Sequence, residues 1–320
     1  MMHHSSFIDF GKPIVSKEFE DLEQRLEVEI QELALNLPEP LRAGASSLLK
    51  RLHRGRRSFI SLFYLPTWSF LIEVPIKQLS KETFPLALRA HAMSLFLHYW
   101  DDHLVDGQLR TTHLSLQIRT LAWERFIESV HELAGIAHKT TVQDYVGRYF
   151  YGIYKERHIE NIEAYCKQTE LQAATWTLTP LLLAHLKGSP YPSDEVPRFI
   201  NAFCKAWRMV DDIQDVKADL FDKTKTGVYF SFPSQQSALW DEVAKGKAVE
   251  PSIWKDALHQ AIFATIERTN HFLSQAIESA KKLAWDKTIT VLMSMSIPLK
   301  HEWVDQVCQS YSTEALRKRL

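Results

Sequence analysis

Apolar residues recur along most of the chain at spacings of three and four, the period of an amphipathic α-helix, and the strict alternation that predicts strands is missing. The pattern predicts seven helices, over Glu18 to Leu37, Thr83 to Asp106, Thr111 to Ala137, Val142 to Leu186, Asp194 to Asp219, Pro251 to Leu283 and Lys287 to Gln309. The span from Val142 to Leu186 is long for one helix, so we expect a kink or break within it. Loops are predicted at Lys187 to Pro192 and at Lys223 to Lys247.

The glycine content supports a helical architecture. The chain has 10 glycines in 320 residues, about 3%, against about 7% in average proteins. Doubly wound sheets and β-sandwiches need many glycine turns, so the shortage favours helices joined by few tight turns. We predict one all-α domain over residues 1–320, a single helical bundle with an N-terminal helical extension over 1–40 and a basic tail over 310–320.

The charge balance and the cysteine content indicate which class of partner and which cellular compartment to expect. The 38 basic and 39 acidic residues nearly cancel, which argues against a nucleic-acid partner. Three cysteines without motif spacing favour a reducing compartment. No signal peptide is visible in Met1 to Phe10, and two prolines and a glutamate interrupt the most apolar stretch, Phe59 to Ile76. We therefore expect a cytoplasmic protein without a transmembrane segment.

The first cluster of acidic residues lies at the end of an apolar helical stripe. Asp102 and Asp106 are four residues apart and project from one helix face, with Asp101 beside them. The same face carries apolar residues upstream, at Leu88, Ala92, Leu95 and Tyr99. Two like charges at the inner end of a core stripe are costly unless they share a cation.

The second cluster repeats this arrangement further along the chain. Asp211, Asp215 and Asp219 are each four residues apart, with Asp212 beside them and Trp207 upstream on the stripe. One Asp-Asp pair at a helix end is more often a solvated surface feature, but two clusters on two apolar stripes favour a metal site. Carboxylates without histidine or thiolate partners suit Mg²⁺ or Mn²⁺, and Mg²⁺ keeps positions open for phosphate oxygens. The pattern therefore predicts a phosphorylated substrate.

Basic and aromatic residues that suit such a substrate accompany the clusters. A dense basic run over Lys50 to Arg57 includes Arg56 and Arg57, and Lys225 follows the second cluster. Diphosphate groups need cations of this kind, although each run taken singly is more often a solvated face. Aromatic rings near both clusters stabilise carbocations as well as filling cores.

Taken together, these residues resemble the class I trans-isoprenoid synthases. The segment from His98 to Asp106 is similar to the first aspartate-rich motif of the polyprenyl diphosphate synthases, and Trp207 to Asp215 is similar to the second. Lys167, followed by Thr169, stands where that family has a Lys and a Thr near the diphosphate. The resemblance covers roughly Arg54 to Gly227 and implies an all-α bundle of the isoprenoid synthase type with a central active-site cavity.

The sequence departs from the polyprenyl pattern at several positions, and some of these positions resemble related families with the same fold. The family's upstream glycine pair and proline are absent, and Arg208 stands where the family has a glutamine. The first motif has three residues between its last two aspartates, a spacing that resembles the squalene/phytoene synthases, as do Tyr165-Cys166 and Asp215 to Asp219. Bacterial terpene cyclases share the fold as well, but their usual Asn-Ser-Glu triad is not found near the second motif.

The resemblance implies roles for individual residues. Two Mg²⁺ ions would bind Asp101, Asp102 and Asp106, and a third would bind Asp211, Asp212 and Asp215, with Mn²⁺ as a substitute. The diphosphate would be held by Arg56, Arg57, Lys167, Arg208 and Lys225. The pocket would be lined by Leu95, Phe96, His98, Tyr99 and Trp207.

The resemblance also implies the reaction, the ionisation of an allylic prenyl diphosphate followed by formation of a C–C bond. The substrate would be geranyl, farnesyl or geranylgeranyl diphosphate. We expect a prenyltransferase, acting by elongation or by head-to-head joining, and a homodimer. The alternatives are a terpene cyclase, which makes a cyclic hydrocarbon or alcohol from one diphosphate, and a non-catalytic prenyl synthase subunit, which usually lacks the acidic motifs that are intact here.

Overall fold

The computed structural model describes residues 17–52, 73, 79–154, 159–186 and 192–296. Within these ranges the chain forms twelve α-helices and no strand. The helices are α1 (Lys17–Leu35), α2 (Glu39–Leu52), α3 (Thr83–Val105), α4 (His113–Ala134), α5 (Lys139–Gly152), α6 (Ile162–Gln172), α7 (Ala174–Ala184), α8 (Glu195–Asp222), α9 (Gly227–Phe230), α10 (Ser237–Ala244), α11 (Pro251–Lys282) and α12 (Asp286–Ser296). The predicted all-α class is confirmed for this part of the chain.

Two segments differ from the predicted helices and loops. The segment from Lys223 to Lys247, predicted as a loop, contains the short helices α9 and α10. These helices are too short to show a periodic pattern, yet they bury Val228 and Trp240 in the core. Helix α2 was not predicted, because prolines at 38 and 40 indicate a stop; the second of them instead lies in the first turn of α2, where proline is tolerated.

The predicted break between Val142 and Leu186 is confirmed, and the chain breaks there twice. Helices α5, α6 and α7 replace the single span, and a single residue, Ala173, separates α6 from α7. The nitrogen of Trp176 bonds to the carbonyl of Ala173, three residues back. That bond leaves the carbonyl of Gln172 without its usual helical donor. The carbonyl can therefore accept a hydrogen bond from a side chain.

The core is built around α3 and the pair formed by α8 and α11. Helix α3 packs against α4, α7 and α1, and α8 packs along α11. Large aromatic side chains fill the interior, and Trp100, Trp240, Trp254 and Trp285 are almost completely buried. Burying each such side chain stabilises the fold by roughly 1.5–3 kcal/mol. None of the helices among the described residues is long and apolar enough to cross a membrane.

The turn between α3 and α4 fixes the end of the first acidic motif. Asp106 caps α3, and Gly107 follows with a φ of 71°, a left-handed conformation that glycine adopts without strain. Helix α4 then begins with a capping box, in which the Thr112 hydroxyl accepts from the Ser115 nitrogen at 3.1 Å and the Ser115 hydroxyl accepts from the Thr112 nitrogen at 2.8 Å. Both ends of this turn are therefore held by local hydrogen bonds.

Candidate active site

A cavity of about 300 Å³ lies between α3, α6, α7 and α8. Its walls are formed by His98, Tyr99, Asp102, His103, Thr169, Gln172, Ala173, Trp176, Cys204, Trp207, Arg208, Asp211 and Asp215. The lining includes carboxylates from two different helices and the aromatic rings of Tyr99, Trp176 and Trp207. The two aspartate-rich motifs, 109 residues apart at Asp102 and Asp211, thus meet at one cavity.

The first motif presents one aspartate to the cavity and one to solvent at its rim. Asp102 lines the cavity and is exposed, and Asp106 is exposed one turn further along. The Asp106 nitrogen bonds to the Asp102 carbonyl at 2.9 Å, which keeps the two residues in helical register. Carboxylates at positions i and i+4 lie on one helix face, so Asp106 extends the acidic surface outward from the cavity.

Asp101 points away from the cavity and into the protein. Its side chain is only 2% exposed. Its Oδ2 accepts from the Arg119 guanidinium at 3.1 Å and from the Tyr149 hydroxyl at 3.0 Å. Burial and the neighbouring Asp101 charge raise the pKa of Tyr149 well above its ordinary value, so this phenol remains a donor. Adjacent helical residues point in directions about 100° apart, which explains why Asp101 and Asp102 have different surroundings.

In the second motif, Asp212 is held by hydrogen bonds inside the protein. One oxygen accepts from the Tyr165 hydroxyl at 2.8 Å and the other from the Gly227 nitrogen at 2.8 Å. Arg208 donates from Nε to the Tyr165 oxygen at 2.9 Å, so the three side chains form a chain of hydrogen bonds. Asp212 is 3% exposed and does not line the cavity, whereas Asp211 and Asp215 do.

This arrangement requires a glycine at position 227. A Cβ added there would lie 2.6 Å from Oδ2 of Asp212 and 2.8 Å from Sδ of Met209. We expect Gly227→Ala to lower the free energy of unfolding by about 1–3 kcal/mol, because the crowded atoms must move. Gly147→Ala is the matched control, since a Cβ there meets no atom within 4 Å and a helical alanine is favoured over glycine. Urea unfolding of both variants measures the difference, and equal stabilities would contradict this packing.

Burial and neighbouring charges raise the pKa of Asp211 and Asp215, the two cavity carboxylates of the second motif. Burial raises the pKa of Asp211, and the Asp102 charge across the cavity adds to this rise while Arg208 opposes it. Burial and the Asp211 charge raise the pKa of Asp215 to about 6. Clustered carboxylates with raised pKa values are typical of sites that bind a cation.

The carboxylates at the cavity fit Mg²⁺ only if the substrate supplies the remaining ligands of the ion. In the described part of the chain, no group of three or more His, Cys, Asp or Glu side chains converges closely enough to hold an ion directly. Mg²⁺ commonly binds one or two carboxylates and takes its remaining oxygens from water and substrate phosphates. Asp102, Asp106, Asp211 and Asp215 match this mode, because they are carboxylates presented from two sides of an open cavity.

Asp219, one turn beyond Asp215, gives a pH-dependent prediction. Burial and the Asp212 charge raise its pKa from 3.8 to about 7, against a hydrogen bond from Thr226 that lowers it. The folded protein therefore holds this proton more tightly than the unfolded chain, so stability decreases as the pH rises from about 4 to 7. Asp219→Asn removes the charge and keeps an acceptor for Thr226. We expect its melting temperature in chelator to exceed the wild-type value by a margin that grows over this range, whereas a margin independent of pH would contradict the prediction.

Aromatic side chains form part of the cavity wall. The His98 ring lies 4.5 Å from Trp176, and Trp176 lies 5.6 Å from Trp207, measured between centroids. Nδ1 of His98 is 3.2 Å from the Gln172 carbonyl at the break between α6 and α7. Because a carbonyl only accepts, Nδ1 carries the hydrogen. Burial lowers the pKa of His98, so the ring is neutral and belongs to the apolar wall.

Other residues predicted for the site lie elsewhere. Leu95 and Phe96 are fully buried but do not line the cavity; Phe96 packs on Trp100, whose indole bonds to the Ser115 carbonyl of α4. Lys167 is 66% exposed and pairs with Glu170 of its own helix. Lys225 stacks over the Tyr229 ring at 4.5 Å, away from the cavity lining. The predicted diphosphate ligands Arg56 and Arg57 lie outside the described residues, as does the tail over 310–320.

Several residues line the cavity without having been predicted to do so. They are His103, Gln172, Ala173, Trp176 and Cys204; Thr169, which was matched to the family's threonine near the diphosphate, lines it as well. Cys204 lies on the apolar stripe that leads to the second motif, so its position was visible in the sequence. Gln172 and Ala173 reach the cavity because the helix breaks beside them, and the sequence indicates such a break without locating it.

Comparison with known proteins gives a match at the level of the fold. No family model matches the sequence, and no curated protein matches it. Among solved structures, the chain is similar to a geranylgeranyl pyrophosphate synthetase from the archaeon Geoglobus acetivorans, with a TM-score of 0.60 over 91% of this chain and 97% of that one. The sequence identity is 12%, so the likeness concerns the fold. The chain has the helical fold of the isoprenoid synthases, which the motifs in its sequence predict.

Proposed function

We propose that this protein is a prenyltransferase that ionises an allylic prenyl diphosphate and joins the resulting cation to a second isoprenoid. The observation that carries the proposal is the meeting of Asp102 with Asp211 and Asp215 in the lining of one cavity that also contains aromatic side chains. The fold shared with a geranylgeranyl pyrophosphate synthetase supports it. The homodimer implied by the sequence resemblance remains a prediction, as does the assignment of residues 1–320 to a single domain.

The carboxylates in the cavity lining suit the diphosphate end of the substrate. Asp102, Asp106, Asp211 and Asp215 would hold Mg²⁺ together with diphosphate oxygens, and Arg208 lies among them as a fixed positive charge. Bound Mg²⁺ would supply positive charge that stabilises the leaving diphosphate. Asp101 is left out of the proposed metal ligands, because its oxygens are already bonded to Arg119 and Tyr149.

The aromatic wall suits the hydrocarbon end. The C–O bond at C1 breaks and its electron pair leaves on the diphosphate, which creates an allylic cation. Tyr99, Trp176 and Trp207 line the cavity, and aromatic rings there would stabilise a cation and exclude the water that would capture it. The alkene of the second isoprenoid then donates its electron pair to form the new C–C bond, and loss of a proton completes the product.

The orientation of the first motif favours head-to-head joining. With Asp101 directed into the core, the exposed pair is Asp102 and Asp106, with three residues between them. This is the spacing that resembles the squalene/phytoene synthases. We therefore expect the acceptor to be a second molecule of the same allylic diphosphate rather than isopentenyl diphosphate.

The test is a series of incubations with Mg²⁺. Geranyl, farnesyl and geranylgeranyl diphosphates are each supplied with and without isopentenyl diphosphate, and extracts are analysed by mass spectrometry before and after phosphatase treatment. A product with twice the carbon number of the substrate, formed without isopentenyl diphosphate, would support head-to-head joining. A longer diphosphate formed only with isopentenyl diphosphate would support elongation.

Two other outcomes would overturn the proposal. A hydrocarbon or alcohol with the carbon number of a single substrate would identify a terpene cyclase. Turnover of none of these diphosphates, with a folded protein and Mg²⁺ present, would favour a non-catalytic subunit.

A further inference from the structure

Arg208 lies near the start of the second acidic motif, Trp207 to Asp215, and also lines the cavity. Its Nη1 is 3.5 Å from Oδ2 of Asp211, and its Nε is 3.5 Å from Oδ1 of Asp212. It precedes these aspartates by three and four residues on α8, so its side chain neighbours both of theirs on the helix surface. A permanent positive charge is therefore built into a motif that was expected to bind a metal ion.

The hydrogen bonds around Arg208 fix the direction of its guanidinium. Nε donates to the Tyr165 oxygen at 2.9 Å, and Tyr165 in turn donates to Asp212. Burial raises the pKa of Tyr165 well above its ordinary value, so the phenol keeps the proton that it donates. Since Nε faces Tyr165, the outer nitrogens of the planar guanidinium point toward Asp211 and the cavity. An arginine anchored in this way presents its donors to an anion with little loss of freedom.

The same contacts reduce the set of carboxylates that can bind an ion. Both oxygens of Asp212 are occupied by Tyr165 and the Gly227 nitrogen. Asp211 faces the Arg208 guanidinium. Of the three aspartates expected to hold a third Mg²⁺, Asp215 alone forms no ion pair with a basic residue in the described part of the chain.

We propose that Arg208 takes the place of one metal ion, so that the cavity binds diphosphate with two divalent cations and one arginine. The inference rests on the proposed function, because it concerns the same diphosphate site. One ion would bind at Asp102 and Asp106, and the other would bind at Asp215. Arg208 would contact the diphosphate from its position beside Asp211. Two ions and Arg208 together supply five positive charges at the site.

The test counts bound metal ions without using catalysis. Mn²⁺ is titrated into the full-length protein in the presence of excess inorganic diphosphate, and free Mn²⁺ is measured by its EPR signal. We expect two Mn²⁺ per chain for the wild type and three for Arg208→Gln, because the variant frees Asp211 to bind a further ion. Arg208→Lys keeps a positive charge and is expected to bind two.

A second readout is the affinity for inorganic diphosphate in chelator, measured by calorimetry. We expect Arg208→Gln to bind it about tenfold or more weakly than the wild type, through loss of a charged hydrogen-bond donor. Arg198→Gln, in the first turn of α8 with a side chain 61% exposed, is the matched control and is expected to match the wild type in both measurements.

The outcomes separate this inference from the proposed function. Three Mn²⁺ in the wild type would overturn the role of Arg208 and leave the prenyltransferase proposal intact, even if Arg208→Gln does not fold. Two Mn²⁺ in both the wild type and a folded Arg208→Gln, with equal affinities for diphosphate, would also overturn it. No binding of Mn²⁺ with diphosphate to the wild type would overturn the proposed function and this inference with it.

Discussion

Asp102→Asn is expected to lower turnover of the allylic diphosphate by about 10²–10³-fold while leaving the melting temperature close to the wild-type value. Asp102 is the first-motif carboxylate that lines the cavity, and it faces the acidic residues of α8 across it. The amide keeps the shape of the side chain but removes a negative charge and a strong metal ligand. Because the residue is exposed, its replacement leaves no unpaired group inside the protein.

Steady-state kinetics at saturating Mg²⁺, with circular dichroism to follow the fold, check this prediction. Asp144→Asn is the matched control. That aspartate is half exposed on α5, pairs with Arg148 at 2.7 Å, and does not line the cavity. Its replacement is expected to change neither turnover nor fold. Turnover near the wild-type rate in Asp102→Asn would remove Asp102 from the proposed metal site.

Arg119→Met is expected to have the largest effect on stability, a loss of about 3–5 kcal/mol in the free energy of unfolding. The substitution keeps the aliphatic part of the side chain but leaves Asp101 as a buried carboxylate. The Tyr149 hydroxyl remains as one donor at 3.0 Å and compensates only part of the lost interaction. A charge without its counter-ion in the core is costly, whereas an exposed ion pair contributes little.

Urea unfolding measures this loss, and Arg125→Met on the same helix is the control. Arg125 pairs with Glu32 at 3.2 Å, but Glu32 is 39% exposed and water can solvate it once the arginine is removed. We expect a loss of roughly 1 kcal/mol or less for the control. The double variant Asp101→Asn with Arg119→Met is expected to recover part of the stability, because neither charge is then left buried. A loss as small in Arg119→Met as in Arg125→Met would contradict the role assigned to this pair.

The two acidic motifs show what local spacing can predict. The period of three and four residues placed Asp102 and Asp211 on apolar stripes of two helices, and both side chains line one cavity. Amphipathic spacing is a property of the local chain and needs no knowledge of the partner helix. The resemblance to the isoprenoid synthases, by contrast, implied one role as metal ligands for Asp101, Asp102, Asp211 and Asp212.

The sequence by itself determined the all-α fold, most of its long helices, and the pair of acidic motifs that meet at the cavity. Only the tertiary structure decided which aspartates are available, because that depends on residues distant in the chain. Asp101 is paired by Arg119 and Tyr149, and Asp212 is held by Tyr165 and the Gly227 nitrogen, partners 15 to 48 residues away. Local periodicity gives the direction of a side chain from its helix, whereas burial and hydrogen bonding depend on which other helices pack there.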